Sequence, residues 1–172
     1  MNIEIESLLS VFEDTKIIFK HPPRPLDLSR FDNETPVYCQ TDILKAMKKA
    51  WSQSANGTSG VEAGFRLDGT PRNYKVVPNS FTNQQKKQTL TIIRGLTFAI
   101  FHVHPNSSSR FPSTPENNAD NNKKGDTGLA AEFKLQIYVM HKDGMTMYDW
   151  QTKKVTELRE NMKWLKPCGG KL

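Results

Sequence analysis

The residues best suited to do chemistry are His102 and His104, two of only four histidines in 172 residues. They stand as His102-Val103-His104 at the end of an apolar run, Leu96 to Val103, and lead directly into Pro105. On a strand, residues i and i+2 project to the same face, so both imidazoles can reach one ion. A catalytic zinc site uses three protein ligands and keeps a fourth position open for water or substrate. Two strand histidines therefore need a third ligand from elsewhere, and a carboxylate to take a proton from water. An HxH tripeptide arises by chance about one time in ten in a chain with four histidines, so its setting matters. Here the setting is an apolar strand before it, a proline after it, and then a 22-residue polar stretch, Pro105 to Asp126, without periodicity. A run of that length inside a compact domain is either functional or disordered.

Other enzyme signatures are missing. The chain has no GxxxxGK[ST], no HExxH, no GxSxG, and no HxE with PCxxC. Remaining polar residues have plainer readings. Asp68-Gly69 and Asp143-Gly144 read as turns, His141 beside Lys142 as a solvated strand end, Glu62 as a strand carboxylate and Asp126 as a helix cap.

The elements that must position the histidines read as a mixture. A helix is expected from Thr41 to Ala55, because Ile43, Leu44, Met47 and Trp51 recur on one face and Asn56-Gly57 follows. Val61–Leu67 and Tyr74–Val77 read as a hairpin turned at Asp68-Gly69, and Thr89–Ile93 and Leu96–Val103 as strands. A short helix is expected over Thr127–Lys134, then a hairpin of Leu135–His141 and Met145–Trp150, then an amphipathic helix over Val155–Leu165. Gln84–Gln88 fits helix or loop equally. The sum is an α/β fold with a mixed, largely antiparallel sheet flanked by helices. Residues 1–36, with His21-Pro-Pro-Arg-Pro, read as an N-terminal extension, 37–165 as the domain, and 166–172 as a flexible tail.

In this setting the sequence resembles the JAB/MPN+ (JAMM) metallopeptidase family, in its bacterial form, over roughly residues 41–150. The family pattern is a Glu on an early strand, HxHP at the end of a later one, a Pro-Ser loop, and an Asp that opens a helix. The matching residues are Glu62 in Val-Glu-Ala-Gly-Phe, His102, His104 and Pro105, Pro112-Ser113, and Asp126 in Gly-Asp-Thr-Gly-Leu-Ala-Ala. The family places its Asp three residues after the Ser, which here is Glu116; no helix-forming pattern follows it, so the loop reads as lengthened and Asp126 as the ligand. Asp120 and Glu116 are the alternatives, and if the turn before Asp126 keeps the family's geometry, Lys123 takes the place of the Ser. The resemblance implies a cytidine-deaminase-like architecture and a zinc ion (Zn2+) on His102, His104 and Asp126. It also implies Glu62 as general base, Ser113 as oxyanion donor, and hydrolysis of peptide or isopeptide bonds by an activated water. Non-catalytic MPN relatives, which serve as protein-interaction modules, are the alternative; they generally lack the ligands present here.

Composition sets the outer bounds. Apolar residues make 36% of the chain, which suits a modest core carrying long polar loops. No apolar run approaches the length of about 18 residues that spans a membrane. Residues 1–60 are nearly balanced in charge, 7 Lys/Arg to 8 Asp/Glu, so the net +6 belongs to the later two-thirds. Without aromatics interleaved along a basic stripe, that surplus suits steering of an acidic peptide or protein-conjugate substrate rather than nucleic acid. Cys39 and Cys168 are 129 positions apart with no CxxC, and the N-terminus lacks a signal pattern. Two reduced thiols and a cytoplasmic location are therefore expected. Nothing in the sequence fixes an oligomeric state.

Overall fold

The computed structural model describes residues 35–79, 91–116 and 124–168. Their architecture is one six-stranded sheet in the order β2-β1-β3-β4-β5-β6 with a helix against each face. The strands are β1 Gly64–Thr70, β2 Asn73–Pro78, β3 Thr97–Val103, β4 Gln136–His141, β5 Gly144–Asp149 and β6 Lys154–Glu160; the helices are α1 Thr41–Gln53 and α2 Gly125–Phe133. All neighbouring strands pair antiparallel except β3 and β4, which run parallel and are joined through α2. The expected mixed α/β sheet is what forms. No helix among the described residues is long and apolar enough to cross a membrane.

Helix α1 lays Ile43, Leu44, Met47, Ala50 and Trp51 on one face of the sheet, as their spacing predicts. Beneath them Phe65, Phe101 and Tyr138 stand directly opposite one another on β1, β3 and β4. Their rings stack at 4.8 and 4.1 Å between centroids, 8° and 2° from parallel. Aromatic cross-strand pairs of this kind fix strand register. With Phe101 anchored on the α1 face, period-two alternation sends Ile100 and His102 to the other face, where α2 packs Leu129 and Ala130 against Ile100, Ile137 and Val139.

Several local expectations yield to pairing across the sheet. Asp68-Gly69 is not the hairpin turn: both lie inside β1, opposite Lys75 and Tyr74, and the chain turns at Pro71-Arg72. Asp68 is held there by Arg66 Nε, at 3.0 and 3.1 Å from its two oxygens, and by Thr97 Oγ1 at 2.7 Å. Residues 91–93 form no strand, because β1 and β4 already occupy both sides of β3; Thr89 and Gln84–Gln88 lie outside the described residues. The amphipathic stretch from Val155 is not a helix. Its first part pairs with β5 as β6, and a 3-10 helix at Asn161–Leu165 follows. Alternation of 3.6 residues loses here because the open edge of β5 offers backbone partners a few residues away.

The two cysteines are also not free. Cys39, in a 3-10 turn at Val37–Cys39, forms a disulfide with Cys168, their Cα atoms 5.3 Å apart. The reading of Cys168 as a lone thiol in a fraying tail is thereby corrected, and the argument for a cytoplasmic location from reduced thiols goes with it. Spacing alone misses such a pair, because its proximity is created by packing. Trp164 in the C-terminal 3-10 helix is 1% exposed, meets Trp51 edge-on at 5.3 Å and donates its Nε1–H to the His141 carbonyl. That packing carries the chain end back to α1.

Candidate metal centre

The site is assembled at the end of β3. β1 approaches β3 so closely that a Cβ on Gly64 would lie 2.2 Å from the Phe101 carbonyl oxygen, so only glycine fits there. Gly64 pairs with His102, the Val103 N–H reaches the Ala63 carbonyl at 2.8 Å, and the His104 N–H reaches the Met140 carbonyl at 2.9 Å. One step further along this register, His104 stands between Glu62 on the β1 side and His141 on the β4 side. With His102, these three carry the alternation that faces α2.

Asp126 comes from the first turn of α2 and meets both histidines. His102 Nε2 is 3.4 Å from its Oδ1 and His104 Nε2 is 3.4 Å from its Oδ2. These separations are too long for good hydrogen bonds, and both Nε2 atoms are buried without a hydrogen-bond partner. The three side chains are 2–4% exposed, and their ligand atoms all lie within 4.8 Å of one another. Two orphaned imidazole nitrogens cost about 1–3 kcal/mol each, so stability does not explain them. Each nitrogen faces a different Asp126 oxygen, so the carboxylate lies between the two imidazoles.

The tautomer also suits an ion. His104 Nδ1 is 2.7 Å from the Ser109 carbonyl oxygen, which can only accept, so Nδ1 carries the hydrogen and Nε2 presents its lone pair. Asp126 is oriented in the same way. Its Oδ2 accepts from the Ser113 N–H at 2.7 Å and the Ser113 hydroxyl at 2.8 Å, while the Asp126 N–H donates to Ser113 Oγ at 3.0 Å. Asp126 does not cap its own helix; the N-cap residue is Lys124. Ser113 keeps its contact with the Asp despite thirteen intervening steps of chain, and its hydroxyl hydrogen is spent on the carboxylate. Of the alternatives, Glu116 is exposed and away from the cluster. Asp120 and Lys123 lie outside the described residues.

Two residues of the site had weak signals in the sequence. Gly125 adopts φ +60°, and a Cβ there would come within 2.9 Å of the Ser113 carbonyl, so glycine lets the loop close on the helix. His141, read as solvated, is 2% exposed. Its Nδ1 accepts the Asp143 N–H at 3.2 Å, and burial holds its imidazole below the ordinary value. The signal for His141 was its strand alternation, which places it on the His104 face.

The charges agree with this arrangement. Burial raises the Glu62 carboxyl, with His102 and His104 pulling it back. Burial opposes the ionised form of Asp126 too, but the two imidazoles win and hold it well below the ordinary carboxylate range. Burial alone would lower His104; the Asp126 carboxylate facing it, then Glu62, raise it instead. The pocket therefore demands positive charge, as a proton or as a cation.

Comparison with protein-family models, with curated proteins and with solved structures finds no match. The donor set of the site, two imidazoles and a carboxylate, could hold a metal ion.

Two outcomes follow. Ser113→Ala removes both bonds made by the Ser113 hydroxyl, leaving only its N–H on Asp126 Oδ2, and is expected to weaken metal binding about 10–100-fold, read by competition with a chelating dye. Because His104 is raised, acid protonates it before an unperturbed histidine, so metal binding releases protons and weakens as pH falls through its folded value. Calorimetry in buffers of different ionisation enthalpy reads that release; equal heats in all buffers would count against it.

Proposed function

We propose that this chain is a zinc-dependent hydrolase of peptide or isopeptide bonds, of the JAMM type. The observation that carries the reading is the pair of buried, unpartnered Nε2 atoms of His102 and His104 converging on Asp126. His102, His104 and Asp126 would hold the ion. Zinc, when bound, supplies a water acidified toward about pKa 7 and a Lewis acid for the scissile carbonyl.

The chain's own residues supply the rest. Glu62 is buried beside both imidazoles, and its carboxyl is raised. It is suited to take the proton from water and deliver it to the leaving amine, as base and then as acid. Ser113 holds Asp126 through its N–H and hydroxyl. Ser109 fixes the His104 tautomer through its carbonyl. Gly64 and Gly125 let the two backbones close in. The positive surplus outside the site favours an acidic or carboxylate-bearing substrate by steering.

The test is elemental analysis of protein purified without chelators, joined to cleavage of quenched peptide and isopeptide substrates. One zinc per chain is expected, with cleavage lost to a chelator and restored by zinc. A metal-replete preparation holding no zinc would overturn the reading.

A further inference from the structure

Between the two ligand supports runs a short segment whose ends are both tied to the centre. At one end the Ser109 carbonyl accepts from His104 Nδ1 at 2.7 Å; at the other, Ser113 grips Asp126 through its N–H and hydroxyl. The Phe111 N–H donates to Ser109 Oγ at 3.1 Å, and the Arg110 carbonyl accepts from Thr146 Oγ1 at 3.0 Å. Pro112 is buried and confines Phe111 to extended backbone. With Pro112 turned inward, Phe111 is turned out and is 41% exposed. Its ring is backed by the Arg110 guanidinium 5.0 Å from the centroid. Arg110 needs no ring for its own satisfaction, since it pairs with Glu157 at 2.8 Å.

A large, exposed apolar ring on backbone tied midway between two ligand supports belongs to neither core cluster. We infer that Phe111 is the specificity-determining contact of this centre, and that it takes an apolar side chain of the substrate next to the bond being cleaved. The inference rests on the metal-centre reading above. With its backbone already tied on both sides, the segment has less to order on binding than a free loop. The ring offers one open face, which matches an aliphatic or aromatic group better than a charged one.

Hydroxamates as probes separate the two readings, because the hydroxamate group engages the metal and the side chain engages its neighbour. The experiment measures Kd for acetohydroxamate and N-acetyl-leucine hydroxamate on the zinc-loaded full chain by calorimetry, with bound zinc quantified throughout. Wild type is expected to bind the leucine compound about tenfold or more tightly than acetohydroxamate, the discrimination typical of a small apolar contact. Phe111→Ala is expected to bind both alike with its zinc unchanged, and Phe111→Tyr to keep the preference. A preference undiminished in Phe111→Ala overturns the inference, as does a wild type that binds acetohydroxamate without favouring leucine. If zinc-loaded wild type binds neither probe, the metal-centre reading fails and takes this inference with it.

Discussion

Glu62→Gln is expected to abolish hydrolysis while leaving the metal in place. Glutamine keeps the size and most of the polarity of the side chain but cannot accept a proton. Loss of a positioned general base typically costs about 10²–10⁴-fold in rate. Metal retention follows because the ligand group is His102, His104 and Asp126, of which Glu62 is no part. Stability is expected to move the other way. A carboxyl whose folded pKa is raised favours the folded state when protonated, and that advantage fades as pH climbs above the unfolded value of about 4.3. At neutral pH the buried Glu62 carboxylate therefore costs stability, and glutamine removes the cost. A variant that is inactive, zinc-loaded and melts no lower than wild type is the expected result. Hydrolysis by Glu62→Gln within a factor of a few of wild type would remove Glu62 from the mechanism. The pH profile carries the same signature: kcat/KM is expected to fall in acid through the folded pKa of Glu62, as base function requires its ionised form.

The second large effect concerns the Cys39–Cys168 disulfide. Closing a loop of 129 residues removes chain entropy worth about 5 kcal/mol from the unfolded state, and measured losses for native disulfides run about 2–5 kcal/mol. For a chain of this size each kcal/mol shifts Tm by roughly 2–4 °C. Reduction is therefore expected to lower Tm by about 10 °C. Thermal melts with and without a phosphine reductant test this, with Cys39→Ser as the control that no longer responds. Equal melting in both conditions would show that the bridge contributes nothing. The loss should be felt first at the C-terminal end, where Trp164 packs on Trp51 and bonds the His141 carbonyl. That contact sits at the end of β4, one strand from His104, so a loosened end reaches the site through β4.

Sequence alone was enough wherever a local period carried the information. The two-residue alternation of β3 determined that His102 and His104 share a face, and the same alternation through Gly64 puts Glu62 there. The 3.6-residue period of α1 selected Ile43, Leu44, Met47 and Trp51 as its buried side. Small and apolar residues after Asp126 marked α2 and made that Asp a better ligand than Glu116. Asp68-Gly69 misled, because a turn dipeptide is a local preference and the Arg66 and Thr97 bonds to Asp68 outweigh it.

What only the tertiary structure decided are the contacts between residues distant in sequence. Ser113 reaches Asp126, Cys39 reaches Cys168, β6 joins β5 instead of coiling, and His141 is buried beside His104. No period in the chain encodes these. Each exists because the aromatic stack of Phe65, Phe101 and Tyr138 sets the strand register, and that register leaves particular edges, ends and orphaned polar atoms to be satisfied. Residue types and spacing chose the chemistry, two imidazoles and two carboxylates. Packing chose which of the carboxylates stands 3.4 Å from both imidazoles.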